Sequence, residues 1–294
     1  MLTKLLETIR PLDENAMESA RLHWDAIAKP LHSLGRLEDM IVQLAGICEN
    51  PVPAPRKKAV LIFCADNGIV AEGVTQTTQD VTAAVTQNFA KGIASVNALS
   101  RICGTEVFPV DIGVAQALDC PGVLNRKVAF GTQNFAHGPA MRRDEAEQAV
   151  CTGIDLVQEK AAEGYNLIVT GEMGIGNTTT SSAVFSVLQG LPPEQVTGRG
   201  AGLSDAGLQH KIQVISRAVA ALQPDPGDVL DVLSKVGGFD VCGMMGAFLG
   251  GAICRVPVLV DGFISAVAAN CAVRLCPACR DYIFASHCSK EPAG

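Results

Sequence analysis

The 294-residue sequence predicts an α/β fold, a mostly parallel sheet flanked by helices, and three observations carry that expectation. Short apolar runs at 58–66, 107–113, 167–170, 256–262 and 282–287 read as the near-continuous hydrophobic strands that parallel sheets bury on both faces. Helical stretches such as 82–98, 206–222 and 241–253 alternate with them. The composition is 48% hydrophobic, and abundant Ala, Gly and Val suit helices packed closely on a sheet.

Taken in order, residues 1–30 read as helical with a break at Arg10-Pro11-Leu12, after which Asp13 is placed to cap a helix over Glu14–Ala28. A turn at 31–40 leads into a second helix ending at Cys48, started by Ser33 or Gly35. Pro51-Val52-Pro53-Ala54-Pro55 is a stiff connection. Residues 1–50 are therefore assigned to a smaller helical domain and 51–294 to the parallel, Rossmann-like α/β domain. Pro109 inside the second strand argues for a bulge or an edge. No tandem repeat of fixed period is evident. In open parallel sheets ligands bind beyond the carboxyl ends of the strands, and Asp66, Asp111, Glu172, Asp261 and His287 all lie there. The other four histidines, His23, His32, His137 and His210, read as surface or core residues.

Lys plus Arg is 23 and Asp plus Glu is 30, a net charge of −7 that argues against a nucleic-acid partner. Aromatics are only 4%, too few for base-stacking platforms. No apolar run approaches the ~20 residues that span a bilayer, and the first residues do not open a signal peptide, so a cytoplasmic protein with no membrane partner is expected. Of eleven cysteines, Cys64, Cys103, Cys242 and Cys254 sit in apolar segments and read as reduced core residues. Cys276-Pro277-Ala278-Cys279 is half of a zinc motif whose second half is missing, so no metal is expected. Disulfides are not expected either.

The most informative stretch is Gly171-Glu172-Met173-Gly174-Ile175-Gly176-Asn177-Thr178-Thr179-Thr180, between an apolar strand and a helix closed by Gly190. A glycine-rich turn at a helix start brings backbone N–H groups and a partial positive charge to an anion. Gly174, Gly176, Asn177, Thr178 and Thr179 are the candidate phosphate ligands. The spacing is neither that of a P-loop nor that of a dinucleotide fingerprint, and taken alone the turn is also what close packing would require. Glu172 has no packing role in such a turn, and a carboxylate beside a phosphate is costly, so its presence points to chemistry. Gly198-Arg199-Gly200 offers a second anion site, with Arg199 and Gly200 as ligands and Lys211 on the following helix. A solvated arginine on a flexible loop is the alternative. Gly237-Gly238-Phe239-Asp240 and Asp261-Gly262-Phe263 precede further helices, and Asp261 is equally placed to be a cap. The polar loop from Asp66 to Val74, with Gln79 beyond it, is long enough to shape a pocket.

Together these segments resemble the nicotinate-nucleotide–dimethylbenzimidazole phosphoribosyltransferase family of cobalamin lower-ligand assembly. The resemblance runs through Ser33–Glu38, Ala65–Gly68, Glu72–Val74, Val110–Gly113, Gly171–Thr179, Gly198–Gly200, Gly237–Asp240, Asp261–Phe263 and Ala285–His287, in order along nearly the whole chain. It implies transfer of the phosphoribosyl group of nicotinate mononucleotide to a benzimidazole-type base, with inversion at the anomeric carbon, giving α-ribazole 5′-phosphate and nicotinate. It implies no cofactor, small-molecule partners only, and a homodimer. Glu172 then becomes the catalytic carboxylate; Gly174, Gly176, Asn177, Thr178, Thr179, Arg199, Gly200, Lys211, Gly238, Asp261 and Phe263 hold the nucleotide. Asp66, Asn67 and Gln79 border the base, with Asn67 standing where many relatives have histidine. The family also implies a continuation past Ser286–Pro292 with a general-base glutamate in a Leu-Gly-Glu-Gly segment, which this sequence, ending at Gly294, does not contain. Two other readings follow: a shortened relative that binds nucleotide or base without turnover, and an interaction subunit.

Overall fold

A computed structural model describes residues 2–294. The chain opens with three helices, α1 (Leu2–Leu6), α2 (Glu14–Ala26) and α3 (Arg36–Cys48). Asp13 caps α2 as its sequence position predicts, accepting from the amides of Asn15 and Ala16. Helices α2 and α3 share a small core of Ala20, Val42 and Ala45, flanked by Met17 and Trp24.

Next come β1 (Lys58–Ala65), a short 3-10 turn (Gly68–Glu72), α4 (Asp80–Ala90), α5 (Ser95–Cys103), β2 (Thr105–Gly113) and β3 (Leu124–Asn125). Then follow α6 (Arg143–Ala162), β4 (Leu167–Met173), α7 (Asn177–Gln189), α8 (Pro193–Val196), α9 (Asp205–Leu222), α10 (Val229–Val236) and α11 (Phe239–Cys254). The last elements are β5 (Val258–Val260), α12 (Phe263–Leu275), a 3-10 segment (Pro277–Tyr282) and β6 (Ile283–Ala285).

The six strands form one sheet in the order β3-β2-β1-β4-β5-β6, and every pair is parallel. This is the doubly wound order, whose direction of progression reverses between β1 and β4. The crevice that such a reversal opens lies past Ala65 on one side and Met173 on the other. Period-two alternation sorts β1 between two cores: Ala59, Leu61, Phe63 and Ala65 face the large core, while Val60, Ile62 and Cys64 face a smaller one with Ala83 of α4. Helices α6 and α11 cross almost backbone to backbone in the large core, because Gly153, Gly246 and Gly250 leave no side chain between them.

Four local expectations need correction. The stretch 82–98 is two helices, since the chain turns at Gly92, whose φ of 73° lies in the left-handed region. The glycine-rich turn starts at Gly174, not Gly171, because Gly171, Glu172 and Met173 pair with Ile62, Phe63 and Cys64 of β1. The helix after it starts at Asn177, four residues ahead of the apolar run. Cys103 ends α5 on its outer side and is exposed, whereas Cys64 and Cys242 are buried. Pro109 keeps its register opposite Ile62; β3 pairs only with Val110 and Asp111, so at Pro109 the strand is the edge of the sheet. Among the described residues no helix is long and apolar enough to cross a membrane.

Candidate active site

The end of β4 places Glu172 at the switch point, and the turn that follows swings the chain directly into α7. Gly176 caps α7 with φ of 94°, a conformation that excludes most side chains, and the turn from β4 to α7 takes three residues, Gly174, Ile175 and Gly176. The amides of Ile175, Asn177, Thr179 and Thr180 already have acceptors: Thr82 Oγ1 for the first, and the carbonyls of Gly174 or Gly176 for the others. The Thr178 amide has no such acceptor among the described residues, so it and the side chains at the start of α7 are the groups placed to act outward.

Two adjoining cavities share Thr178 and Gly200 as their common wall. The first, about 190 Å³, is lined by Glu172, Asp261, Phe263, Ser265 and Glu291 as well as that wall. The second, about 90 Å³, is lined by Gly174, Gly176, Asn177, Arg199 and Lys211. Lys211 reaches the wall from α9. It is 1% exposed, and its ammonium donates to Thr178 Oγ1 at 2.9 Å and to the Gly198 carbonyl at 3.3 Å. Burial pulls its pKa down to about 8, opposed by the Glu291 carboxylate. Glu291 lies over Gly198 so closely that a Cβ there would overlap it.

Glu172 is half-buried at its surface but its carboxylate sits deep in the protein, and burial, then the neighbouring Asp240, push its pKa up to about 7. The amide nitrogen of Asn177 donates both to Glu172 and, at 3.0 Å, to Asp240. Asp240, in the first turn of α11, is fully buried, and burial pushes its pKa up to about 6. On its other side stands Asn67, whose Oδ1 accepts from Thr180 Oγ1 at 3.0 Å.

The sequence-assigned residues fall into two groups. Glu172, Gly174, Gly176, Asn177, Thr178, Arg199, Gly200, Lys211, Asp261 and Phe263 all line one of the two cavities. Arg199, however, is exposed and folds back on its own loop, donating to the Leu203 carbonyl at 2.8 Å and to Asp205. Phe263 also belongs to the core, edge-on to Phe185. Thr179, Gly238, Asp66, Asn67 and Gln79 line neither cavity. Thr179 is buried, with no hydrogen-bond partner for its hydroxyl among the described residues. Asp66 is buried with one oxygen accepting from the Ala115 amide at 2.7 Å, and burial pushes its carboxyl up. Gln79 donates to the Asn67 carbonyl at 3.4 Å. Gly238 and Gly174 are packing glycines: a Cβ on Gly238 would lie 2.5 Å from Asp240 Oδ1, and one on Gly174 2.7 Å from Asp240 Oδ2.

Asp261 is held by a hydroxyl chain whose direction is fixed by proton count. Its amide donates to Ser265 Oγ at 3.2 Å, and Thr170 Oγ1 donates to the Leu259 carbonyl at 3.0 Å. The 2.6 Å contact between the two hydroxyls must therefore run from Ser265 to Thr170. The residues that sequence reasoning left unassigned are Asp240, Ser265, Ser289 and Glu291. Asp240 had a signal: it is the one charged residue in the otherwise apolar and glycine-rich run Phe239–Cys254.

Comparison with known proteins identifies the family. A family model described as a phosphoribosyltransferase matches residues 9–294. The nicotinate-nucleotide–dimethylbenzimidazole phosphoribosyltransferase of Acetivibrio thermocellus is 51% identical over 99% of this chain and 83% of its own length. The protein of the same name from Geobacter sulfurreducens is 47% identical over the same shares. The crystal structure of CobT from Thermus thermophilus superimposes with a TM-score of 0.90 at 40% identity, covering 95% of this chain and 84% of that one. The chain belongs to this phosphoribosyltransferase family.

Proposed function

We propose that the chain transfers the phosphoribosyl group of nicotinate mononucleotide to a benzimidazole-type base, releasing nicotinate and an α-ribazole 5′-phosphate. The observation that carries the proposal is the juxtaposition of a deep carboxylate, Glu172, with an anion cradle built on Thr178, Gly200 and Lys211 across one shared wall. The 5′-phosphate binds at that wall, where Lys211 supplies the charge and Thr178 a hydroxyl. Asp261 and Phe263 border the ribose in the larger cavity. Arg199 reaches the phosphate only by leaving Asp205. Asn67 and Gln79 shape the base side from behind the wall.

In the reaction the bond from the anomeric carbon to nicotinate breaks, and its electron pair goes to the pyridine nitrogen. A lone pair on the incoming base forms the new bond from the opposite face, which inverts the centre. Positive charge on the ribosyl ring is stabilised by carboxylates. The proton on the second nitrogen of the new benzimidazolium leaves to a carboxylate; the resemblance gives that role to the Leu-Gly-Glu-Gly glutamate, and Glu172, lining the larger cavity, is the group of this sequence placed to assist it. A carboxyl with a pKa of about 7 is half ionised at neutral pH, close to the optimum for a group that must accept and then release a proton. The homodimer implied by the resemblance and the cytoplasmic location expected from the sequence belong to the same proposal; light scattering on the purified protein tests the first and fractionation of the source cells the second.

The test is direct. Incubation with nicotinate mononucleotide and dimethylbenzimidazole is expected to release nicotinate and form a ribazole phosphate, both resolved by chromatography. Glu172→Gln is expected to slow turnover by ~10²–10⁴-fold. Absence of both products, with an active relative run in parallel, would refute the assignment.

A further inference from the structure

Glu172 is not alone. Two carboxylates, one from the end of β4 and one from the first turn of α11, share a single donor, Asn177 Nδ2. The second is closely enclosed. A methyl group at Gly238 would strike one oxygen of Asp240 and Asn67 Oδ1, and one at Gly174 would strike the Ala65 carbonyl first and the other Asp240 oxygen next. A fully buried acid costs several kcal/mol to ionise unless it is paired, so its place beside Glu172 with one donor between them calls for a role.

The groups facing the pair come from five places. Glu172 is faced by Asn177 of α7, Asp240 of α11, Asp261 beyond β5 and the Cys64 thiol of β1. Asp240 is faced by Asn67 beyond β1, by Asn177 and by the Cys242 thiol, and accepts from the Val241 amide at 3.0 Å. None of these is a cation, and burial keeps both thiols protonated. Two acids with one shared donor and no counter-charge cannot both ionise cheaply, so they titrate as a coupled pair. Asp240 has three further neutral donors or dipoles beside it and ionises first; Glu172 has Asn177 as its one donor among the described residues and the negative Asp240 beside it, and keeps the proton longer.

We propose that Asp240 is a positioning residue for Glu172: joined to it through the Asn177 amide, its negative charge decides when Glu172 gives up its proton and becomes available to the incoming base. Asp240 touches no substrate in this arrangement, because it lines neither cavity. Its effect on turnover rests on the function proposed above, but its effect on Glu172 does not.

Infrared pH titration of the carboxyl band reads the pair without any turnover, with Glu172→Gln identifying the Glu172 component. Asp240→Asn keeps the shape and removes the charge, and is expected to lower the pH at which Glu172 ionises by about one unit. Asn177→Ala removes the donor that favours the ionised form and is expected to shift Glu172 the other way. The acid limb of the kcat/KM profile should follow each shift, with KM for nicotinate mononucleotide little changed in Asp240→Asn. A purely structural role predicts loss of rate at every pH with no movement of the limb. An unmoved Glu172 titration in Asp240→Asn, or shifts of the same sign in both variants, would overturn the proposal. If no variant and no wild-type sample turns over, the proposed function fails while the infrared titration still decides the pairing.

Discussion

At the residue scale the site is governed by groups that fold in a state water would not give them. Glu172 and Asp240 have ordinary values of 4.5 and 3.8 and are pushed up to about 7 and about 6. Between roughly pH 4 and pH 7 the folded protein holds protons that the unfolded chain has released, so stability falls as pH rises through that window. Lys211 runs the other way: drawn down to about 8, it makes the fold more stable as pH rises from there toward the unfolded value of 10.5. Urea unfolding at pH 5 and pH 7 is therefore expected to show wild type losing on the order of 1–3 kcal/mol across the interval, with a smaller loss in Glu172→Gln. An equal loss in both would show that Glu172 is not the titrating group. The sequence showed Glu172 as an acid out of place, because nothing in a glycine-rich turn needs a carboxylate. It did not show Asp240's role, since the link between them runs from β4 through Asn177 of α7 to α11 and has no sequence spacing to betray it.

At the scale of elements, the strand–turn–helix unit β4–α7 does the positioning, and the helix pair α6–α11 supports it from beneath. A Cβ on Gly153 would overlap the Gly243 carbonyl, and one on Gly246 the Val150 carbonyl. Backbone cannot yield as a flexible side-chain tip can, so the helices must separate. Gly246→Val is expected to destabilise the protein by ~3 kcal/mol or more, beyond the range of ordinary overpacking, and to displace Asp240 two turns earlier on the same helix. Loss of the denaturation midpoint together with activity would be observed; an unchanged midpoint would contradict the tight crossing. The periodicity of the strands was legible because parallel strands are apolar throughout. The break at Gly92 and the early start of α7 were not, because Thr and Ser at a helix start look like loop residues until the capping geometry is known.

At the scale of the whole molecule, Arg255 at the end of α11 ties the first helices to the rest of the fold, beside Gln43 of α3, which donates to the Asp281 carbonyl at 2.9 Å. The Arg255 guanidinium donates to the carbonyls of Ile47 at 3.1 Å, Gly46 at 2.6 Å and Pro11 at 3.1 Å, and to Tyr282 Oη at 3.1 Å. Tyr282 in turn donates to the Arg10 carbonyl at 2.7 Å. The helices before residue 51 are proposed to form a unit of their own held on by this clasp. Arg255→Met keeps the aliphatic stem and removes every donor, at a cost of about 3 kcal/mol from charge-assisted bonds to buried carbonyls. Limited proteolysis is expected to cut the variant first within residues 1–57, while wild type resists. Equal resistance would mean that packing of α3 alone carries the docking.

The sequence by itself determined the alternation of strands and helices, the acids at the strand ends and the ordered motifs that mark the family. These are local properties: periodicity, turn chemistry and residue identity are written in adjacent positions. Only the tertiary structure decided what the glycines are for. Gly174 lines the second cavity and also clears the Ala65 carbonyl and an oxygen of Asp240, while Gly238 makes room for Asp240 and Asn67, contacts that join segments far apart in the chain. Only the fold, likewise, brought Lys211 and Thr178 to one wall and left Arg199 on its own loop. Burial, charge coupling and close approach are set by distances in space, and in a doubly wound sheet those distances are fixed where the strand order reverses.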